Sequence, residues 1–284
     1  MLKIASIGPH HGEEPPLSGT KGSGTIFFSN CNLRCIFCQN YQISQEGIGY
    51  FISEEELADE MLKLQKIGCH NINLVSPTHF GPQILKTLTI AKEKGLKIPI
   101  VYNSNGYDSV EMLKLLEGHI DIYLPDIKYS DNKKALKYSG VKDYVEHNRA
   151  AIAEMFYQIG NLILDNKGIA ERGIIVRHLI LPDDLAGSYE SLKFLASLSK
   201  DIWISAMSQY YPCFRAIGHP ILGRKITKEE YKRVMDWIEE FGFENVLTQE
   251  EDSADNYLPD FRKNDPFNSS SPDPFSIKDG EGEP

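Results

Sequence analysis

The chain has 284 residues, 41% of them hydrophobic and 25% charged, and a formal net charge of −10. That balance describes an ordinary globular protein of one large domain or two small ones. The acidic total argues against a nucleic-acid partner, because phosphate binding draws on a basic surface. No run approaches the roughly 20 apolar residues of a membrane-spanning helix. The N-terminal residues show no apolar h-region or cleavage signal, and the five cysteines are an odd number with nothing to mark a secreted disulfide framework. Together these features predict a cytoplasmic monomer with no membrane partner.

In chain order, residues 1–24 read as an N-terminal extension and residues 25–250 as one folded unit. Apolar, β-rich runs fall at Thr25–Phe28, Ile72–Val75, Ile98–Tyr102, Ile120–Leu124, Ile174–Ile180 and Ile202–Ala206, with a shorter one at Asn245–Leu247. Helical patterns fill the gaps. Ser53 with Glu56, Asp108 with Glu111 and Thr227 with Glu230 have the spacing of capping boxes, and Gly68, Gly95, Gly118 and Gly242 stand where helices should stop. About six βα units in series predict a parallel sheet with helices outside: an α/β fold of the incomplete (β/α)6 TIM-like barrel type, with a flat doubly wound sheet as the competitor. The segment between the fourth and fifth strands, about Ser130 to Arg172, is longer than a crossover needs and has room for an extra helix. From about 251 onward the chain is rich in Pro, Ser, Gly and acid, and a flexible acidic tail is expected there.

The densest chemical signal is Cys31, Cys35 and Cys38, spaced C-x3-C-x2-C just after the first predicted strand. Three thiolates on one loop can ligate three irons of a cubane cluster and leave the fourth iron open. Two blander readings remain open at this level: a structural zinc site, for which Cys69, His70, His10, His11 and Cys213 would have to supply a fourth ligand, and an electron-transfer centre, which would want another nearby cysteine. Cys69 reads as a small core residue and Cys213 as a loop cysteine.

The run GlySerGlyThrIlePhePheSerAsnCysAsnLeuArgCysIlePheCysGlnAsnTyr resembles the cluster loop of the radical S-adenosylmethionine (SAM) enzymes, C-x3-C-x-aromatic-C, with Phe37 as the aromatic residue. It looks closest to an uncharacterised branch of pyruvate formate-lyase activating enzyme homologues. The resemblance spans residues 15–250. It implies a partial barrel of the radical SAM type and a [4Fe–4S] cluster on Cys31, Cys35 and Cys38. It also implies reductive cleavage of SAM to a 5′-deoxyadenosyl radical, hydrogen-atom abstraction from a substrate such as a partner enzyme's glycine, and a flavodoxin or ferredoxin as electron donor. Phe37 would lie near the adenine. Where that family carries Gly-Gly-Glu for the SAM amino group, this chain has Ser76, Pro77, Thr78 and His79; Ser76 and Thr78 are the candidates to replace the missing carboxylate. Asn103 and Asn105 match a Thr-Asn-Gly-aromatic turn, Asp126 and Lys128 match an Asp-x-Lys pair facing SAM and substrate, and Arg177 matches an arginine contacting the SAM carboxylate, with a structural ion pair as its alternative. Gln209 and Tyr210 are expected at the same mouth.

Overall fold

The computed structural model describes residues 1–249, 259–263 and 266–267. Its strands are β1 (Leu2–His10), β2 (Ser23–Phe28), β3 (Tyr50–Ile52), β4 (Ile72–Val75), β5 (Ile100–Ser104), β6 (Ile122–Pro125), β7 (Ile163–Leu164), β8 (Ala170–Leu179), β9 (Trp203–Met207) and β10 (Val246–Thr248). Its helices are α1 (Pro15–Ser18), α2 (Tyr41–Ser44), α3 (Glu54–Ile67), α4 (Gly81–Glu93), α5 (Val110–Leu116), α6 (Asn132–Ser139), α7 (Tyr144–Ile159), α8 (Ser188–Leu198) and α9 (Lys228–Phe241). The sheet runs β10-β9-β8-β6-β5-β4-β2-β1-β3, with β7 on the side of β8. From β2 to β10 along this path every pairing is parallel, as the alternation of strand and helix patterns predicts. β1 and β3 are antiparallel additions at one edge.

The sheet curls. Val101, Ile122, Leu124, Ala170 and Ile175, from β5, β6 and β8, form one buried cluster with Leu17 of α1, and Trp203 and Leu247 pack on it. Leu17 is fully buried, so the short helix before β2 plugs the N-terminal end of an incomplete TIM-like barrel. The opposite faces of the strands carry the larger core, into which Leu57 and Met61 of α3, Ile84 and Leu88 of α4, Ile152 and Met155 of α7, Leu192 and Leu195 of α8, and Val234 and Ile238 of α9 pack. No helix among the described residues is long and apolar enough to cross a membrane.

Two of the three capping boxes form, at Ser53–Glu56 and Thr227–Glu230. The third does not: Ser109 caps α5. Asp108 is buried instead and accepts hydrogen bonds from Thr78 Oγ1 at 2.7 Å, Tyr102 OH at 3.0 Å and Ser104 Oγ at 2.6 Å. Burial raises its pKa although these donors oppose the rise. The β6–β8 crossover holds two helices, α6 and α7. Residues 1–24, read from sequence only as an extension, contribute β1 and the barrel plug.

The described part of the C-terminal tail departs from the expectation of a segment with little to bury. Phe261 is buried, with its ring centroid 5.4 Å from that of Phe27, and Phe267 lies 5.1 Å from Phe27 and 4.3 Å from His10. Two aromatic anchors outweigh the polar composition around them. Most of the expected flexible tail lies outside the described residues.

Candidate active site

The chain leaves β2 through Ser29 and through Asn30, which takes a positive φ of 71°, and enters the cysteine loop. The loop is held on both flanks by main-chain hydrogen bonds. Arg34 and Ile36 N–H groups donate to the carbonyls of Ser139 and Tyr138 at the end of α6, at 2.8 and 2.9 Å, and Arg215 N–H donates to Ile36 O at 3.0 Å. The three sulfurs have donors of their own. Asn105 Nδ2 lies 3.3 Å and the Leu33 N–H 3.4 Å from Cys31 Sγ, Ser139 Oγ donates to Cys35 Sγ at 3.0 Å, and Ser44 Oγ shares a hydrogen bond with Cys38 Sγ at 3.2 Å. A hydroxyl has one proton, so Ser139 accepts from Tyr129 OH, 2.7 Å away, while it donates to sulfur.

This arrangement fits a cluster better than a single ion. Among the described residues no three His, Cys, Asp or Glu side chains surround one metal position, and thiolates that each hold a different iron stand farther apart than ligands of one ion. Burial pushes the Cys35 thiol up to about 12 and the Cys38 thiol up to about 11, so both thiolates need a positive partner, which cluster iron would be.

The loop forms one wall of a cavity of about 210 Å³ at the C-terminal ends of the parallel strands, the end where barrels carry their chemistry. Cys31, Cys35, Cys38, Phe37, Ser76, Asn103, Asn105, Asp126, Lys128 and Arg177 all line it, as do Gln209 and Tyr210. Phe37 is buried and meets Tyr210 edge to face at 5.9 Å. Ser76, at φ 57°, donates its N–H to Asn103 O at 2.8 Å.

Thr78 is not brought to this cavity. Its hydroxyl is spent on Asp108, and it lines a separate pocket on the outer side of β5. The cause is the 3-10 turn Thr78–Phe80, which swings the chain outward directly after Ser76; His79 Nε2 contacts Ser29 O at 2.9 Å. Of Ser76 and Thr78, only Ser76 reaches the cavity.

Two ion pairs stand side by side on the wall facing the cluster loop. Lys128 Nζ lies 2.5 Å from Asp126 Oδ2. Burial, the largest single influence, would lower the Lys128 pKa, but the Asp126 charge and hydrogen bond together with the nearby Cys35 and Cys38 outweigh it and raise it. Arg177 Nε and Nη2 hold the two carboxylate oxygens of Glu14, each at 2.6 Å, Nη2 also pairs with Glu13, and Nη1 donates to Asn103 Oδ1 at 3.3 Å. Burial alone would push Glu14 up; the Arg177 charge and hydrogen bonds prevail and hold its carboxyl below the usual range. The expectation that Arg177 stands ready for a ligand carboxylate thus meets a guanidinium already bound by two glutamates, the ion-pair alternative.

Glu13 and Glu14 escaped the sequence reading, as did Ser139 and Ser44 behind the sulfurs. The signal for the glutamates was Arg177 itself: a charge inside the apolar run IleIleValArgHisLeuIle must find a counter-charge, and the adjacent acids before the ProPro of α1 are the ones that find it.

With this geometry in place, comparison with known proteins gives the chain a family. Residues 25–161 match the profile of the radical SAM superfamily. An uncharacterized protein of Methanocaldococcus jannaschii is 32% identical over 246 residues, covering 84% of this chain and 67% of that protein. A pyruvate formate-lyase-activating enzyme of Clostridium pasteurianum is 26% identical over 186 residues, covering 62% of this chain and 69% of the relative. Among solved structures, the FeFe-hydrogenase maturase of Carboxydothermus hydrogenoformans superposes with a TM-score of 0.53 at 13% identity, over 86% of this chain and 61% of that one, a likeness of fold alone. The cysteine loop at a strand end, the curled parallel sheet and the sequence match agree, and the chain belongs to the radical SAM superfamily.

Proposed function

We propose that this protein binds a [4Fe–4S] cluster through Cys31, Cys35 and Cys38 and uses it to cleave SAM reductively, taking a hydrogen atom from its substrate. The observation that carries the reading is the convergence of three hydrogen-bonded cysteine sulfurs on one cavity at the C-terminal mouth of the barrel. The cluster and SAM, once bound, supply the one-electron chemistry; the protein supplies binding, orientation and exclusion of water.

Each wall has a part in that. Phe37 and Tyr210 offer aromatic surface to an adenine. Ser76 and Asn103 present polar groups where an amino-acid moiety would lie. Asn105 fixes Cys31. Asp126 and Lys128 face the cavity with opposite charges, and Arg177 reaches it through Nη1. The cytoplasm, a reducing compartment, suits three free cysteine thiols, and a flavodoxin or ferredoxin suits the single-electron demand.

The substrate we favour is the glycine of a partner enzyme, as in the activating enzymes. Likeness to the C. pasteurianum protein supports this, as does a sheet that ends in unjoined edges at β10 and β3, which leaves a side through which a peptide loop can enter.

The test is anaerobic reconstitution with iron and sulfide, followed by dithionite and SAM. Formation of 5′-deoxyadenosine is expected from the wild type, and loss of both brown colour and product from Cys35→Ala. A cluster that forms without binding SAM would make the protein an electron carrier and defeat the proposal. Cys69→Ala and Cys213→Ala should keep the cluster.

A further inference from the structure

The chain carries 40 acidic residues, and 15–45, 132–142 and 202–228 are among the stretches that hold none. The first contains the cysteine loop, the second is α6 with the turn after it, and the third includes β9 and the loop that follows. They meet in space. The α6 end and the loop after β9 flank the cysteine loop through the main-chain hydrogen bonds of Arg34, Ile36 and Arg215. Tyr138 of α6 touches His219 of the β9 loop, ring to ring at 5.8 Å, and Tyr41 stacks on Phe214 at 4.7 Å.

The outer surface of this joint is basic. Arg34, Lys133, Lys137 and Arg215 are exposed. Lys137 and Arg215 lie over the rings of Tyr138 and Phe214, at 5.1 and 5.0 Å, which fixes their charged ends without neutralising them. Asp131, at the head of α6, spends its carboxylate on the N–H groups of Lys133 and Lys134. Amid the charges two aliphatic side chains stand in water: Ile217 is 71% exposed and Leu136 49%. Exposed apolar side chains beside these cations, with Asp260 at one margin where it lines a pocket with Phe214 and Ile217, have on an otherwise acidic protein the make-up of a docking face for an acidic partner. Directly beneath lies Cys35, flanked in sequence by Arg34 and Ile36 and tied to α6 through Ser139.

We infer that this face receives a small acidic one-electron carrier protein, which passes its electron to the cluster across the Cys35 side of the loop. The inference rests on the reading that Cys31, Cys35 and Cys38 hold a cluster. The exchange is a bare electron transfer: the carrier is oxidised by one electron, the cluster is reduced by one, and no bond forms or breaks. The basic face steers the acidic carrier, and the two aliphatic side chains give the encounter a dry centre.

The test uses the reconstituted full chain and a reduced acidic [2Fe–2S] ferredoxin, mixed in stopped flow at low and high salt. The comparison is wild type against Lys133→Glu/Lys137→Glu/Arg215→Glu. The wild-type bimolecular rate should fall as salt rises, because exposed charges are screened within about 8–10 Å. The triple variant should be slower by on the order of tenfold or more at low salt, and its rate should no longer fall with salt but rise, because the reversed charges repel the carrier until they are screened. Its cluster absorbance and its dithionite-driven SAM cleavage should match wild type. Lys97→Glu, at the N-terminal end of β5 and far from the face, should change nothing.

A triple-variant rate within about twofold of wild type would overturn the assignment while dithionite-driven SAM cleavage leaves the proposed function standing. Binding of wild type to phosphatidylserine vesicles or to RNA that the triple variant loses, with carrier rates unchanged, would give the face to another anion and overturn it as well. Failure of the wild type to hold a cluster would remove the proposed function and this inference together.

Discussion

The two ion pairs at the cavity mouth are made in opposite ways. Asp126 and Lys128 stand two positions apart on one strand end, where the period of two places both on one side. Arg177 reaches Glu14 across 163 positions of sequence. The local pair keeps some contact with the cavity, its side chains 19% and 17% exposed. The long-range set is drier on its acidic side, with Glu13 at 7% and Glu14 at 2%. A pair built within one strand costs no loop closure and leaves its charges facing a ligand. A pair built across the chain fixes the N-terminal segment over the barrel, beside the Leu17 plug. The first therefore shapes the electrostatics of the site, and the second holds the fold.

Removing the arginine is the strongest way to break that contrast. Arg177→Ala strands two buried glutamates and should cost about 3–5 kcal/mol, as losing one partner of a buried pair does. Urea denaturation of the apoprotein measures it. Replacing both glutamates by Gln alongside Arg177→Met should recover much of the loss. A cost below about 1 kcal/mol for Arg177→Ala alone would show that the set staples nothing.

Lys128→Met should cost less, about 1–3 kcal/mol, because only the half-buried Asp126 is left unpaired. Its distinctive effect lies elsewhere. A positive charge beside Cys35 and Cys38 disappears, so the reconstituted cluster should titrate at a more negative potential. An equal cost for the two substitutions, with no change in potential, would erase the distinction.

His178, next to Arg177, sharpens the contrast through pH. Its Nδ1 faces the Ile127 carbonyl at 2.8 Å and its Nε2 the Ser188 hydroxyl at 2.8 Å. A carbonyl only accepts, so Nδ1 carries the proton. Burial lowers the His178 pKa, so the folded state favours the neutral ring. The stability from this group is full above the ordinary value of 6.5 and is lost as pH falls from there through the lower folded value. The slope is at most about 1.4 kcal/mol per pH unit. Denaturation at pH 7.5 and 5.5 should show wild type losing more stability on acidification than His178→Gln. Equal losses would place the acid sensitivity elsewhere.

The smallest effect is expected from Ser139→Ala, about 0.5–1.5 kcal/mol for one hydrogen bond in the apoprotein. With one donor to Cys35 gone, the cluster potential should again move negative, since hydrogen bonds to ligand sulfur stabilise the reduced cluster. A potential equal to wild type would mean that the Tyr129–Ser139–Cys35 chain packs the loop without tuning it.

The sequence by itself determined what is local. The runs of apolar residues marked the parallel strands to within a few positions because a buried strand must be apolar on both faces. The cysteine spacing marked the site because three thiols in eight residues have few other uses. Asn103, Asn105, Asp126 and Lys128 were legible because each leaves the C-terminal end of a buried strand, where a barrel opens. Tertiary structure alone decided the rest. β1 is a pairing partner of β2 and reads as a strand only once β2 offers it an edge. Leu17 is a plug only inside a curled row of strands. Thr78 turns outward because a single 3-10 turn follows Ser76, and Asp108 is held by three hydroxyls from two parts of the chain, Thr78 after β4 and Tyr102 and Ser104 of β5. Glu13 and Glu14 find Arg177, and Ser139 finds Cys35, at separations where no periodicity survives. Charge neutralisation and hydrogen bonding in a dry interior depend on which groups the fold brings within a few ångströms, and sequence spacing carries that information only within a single element.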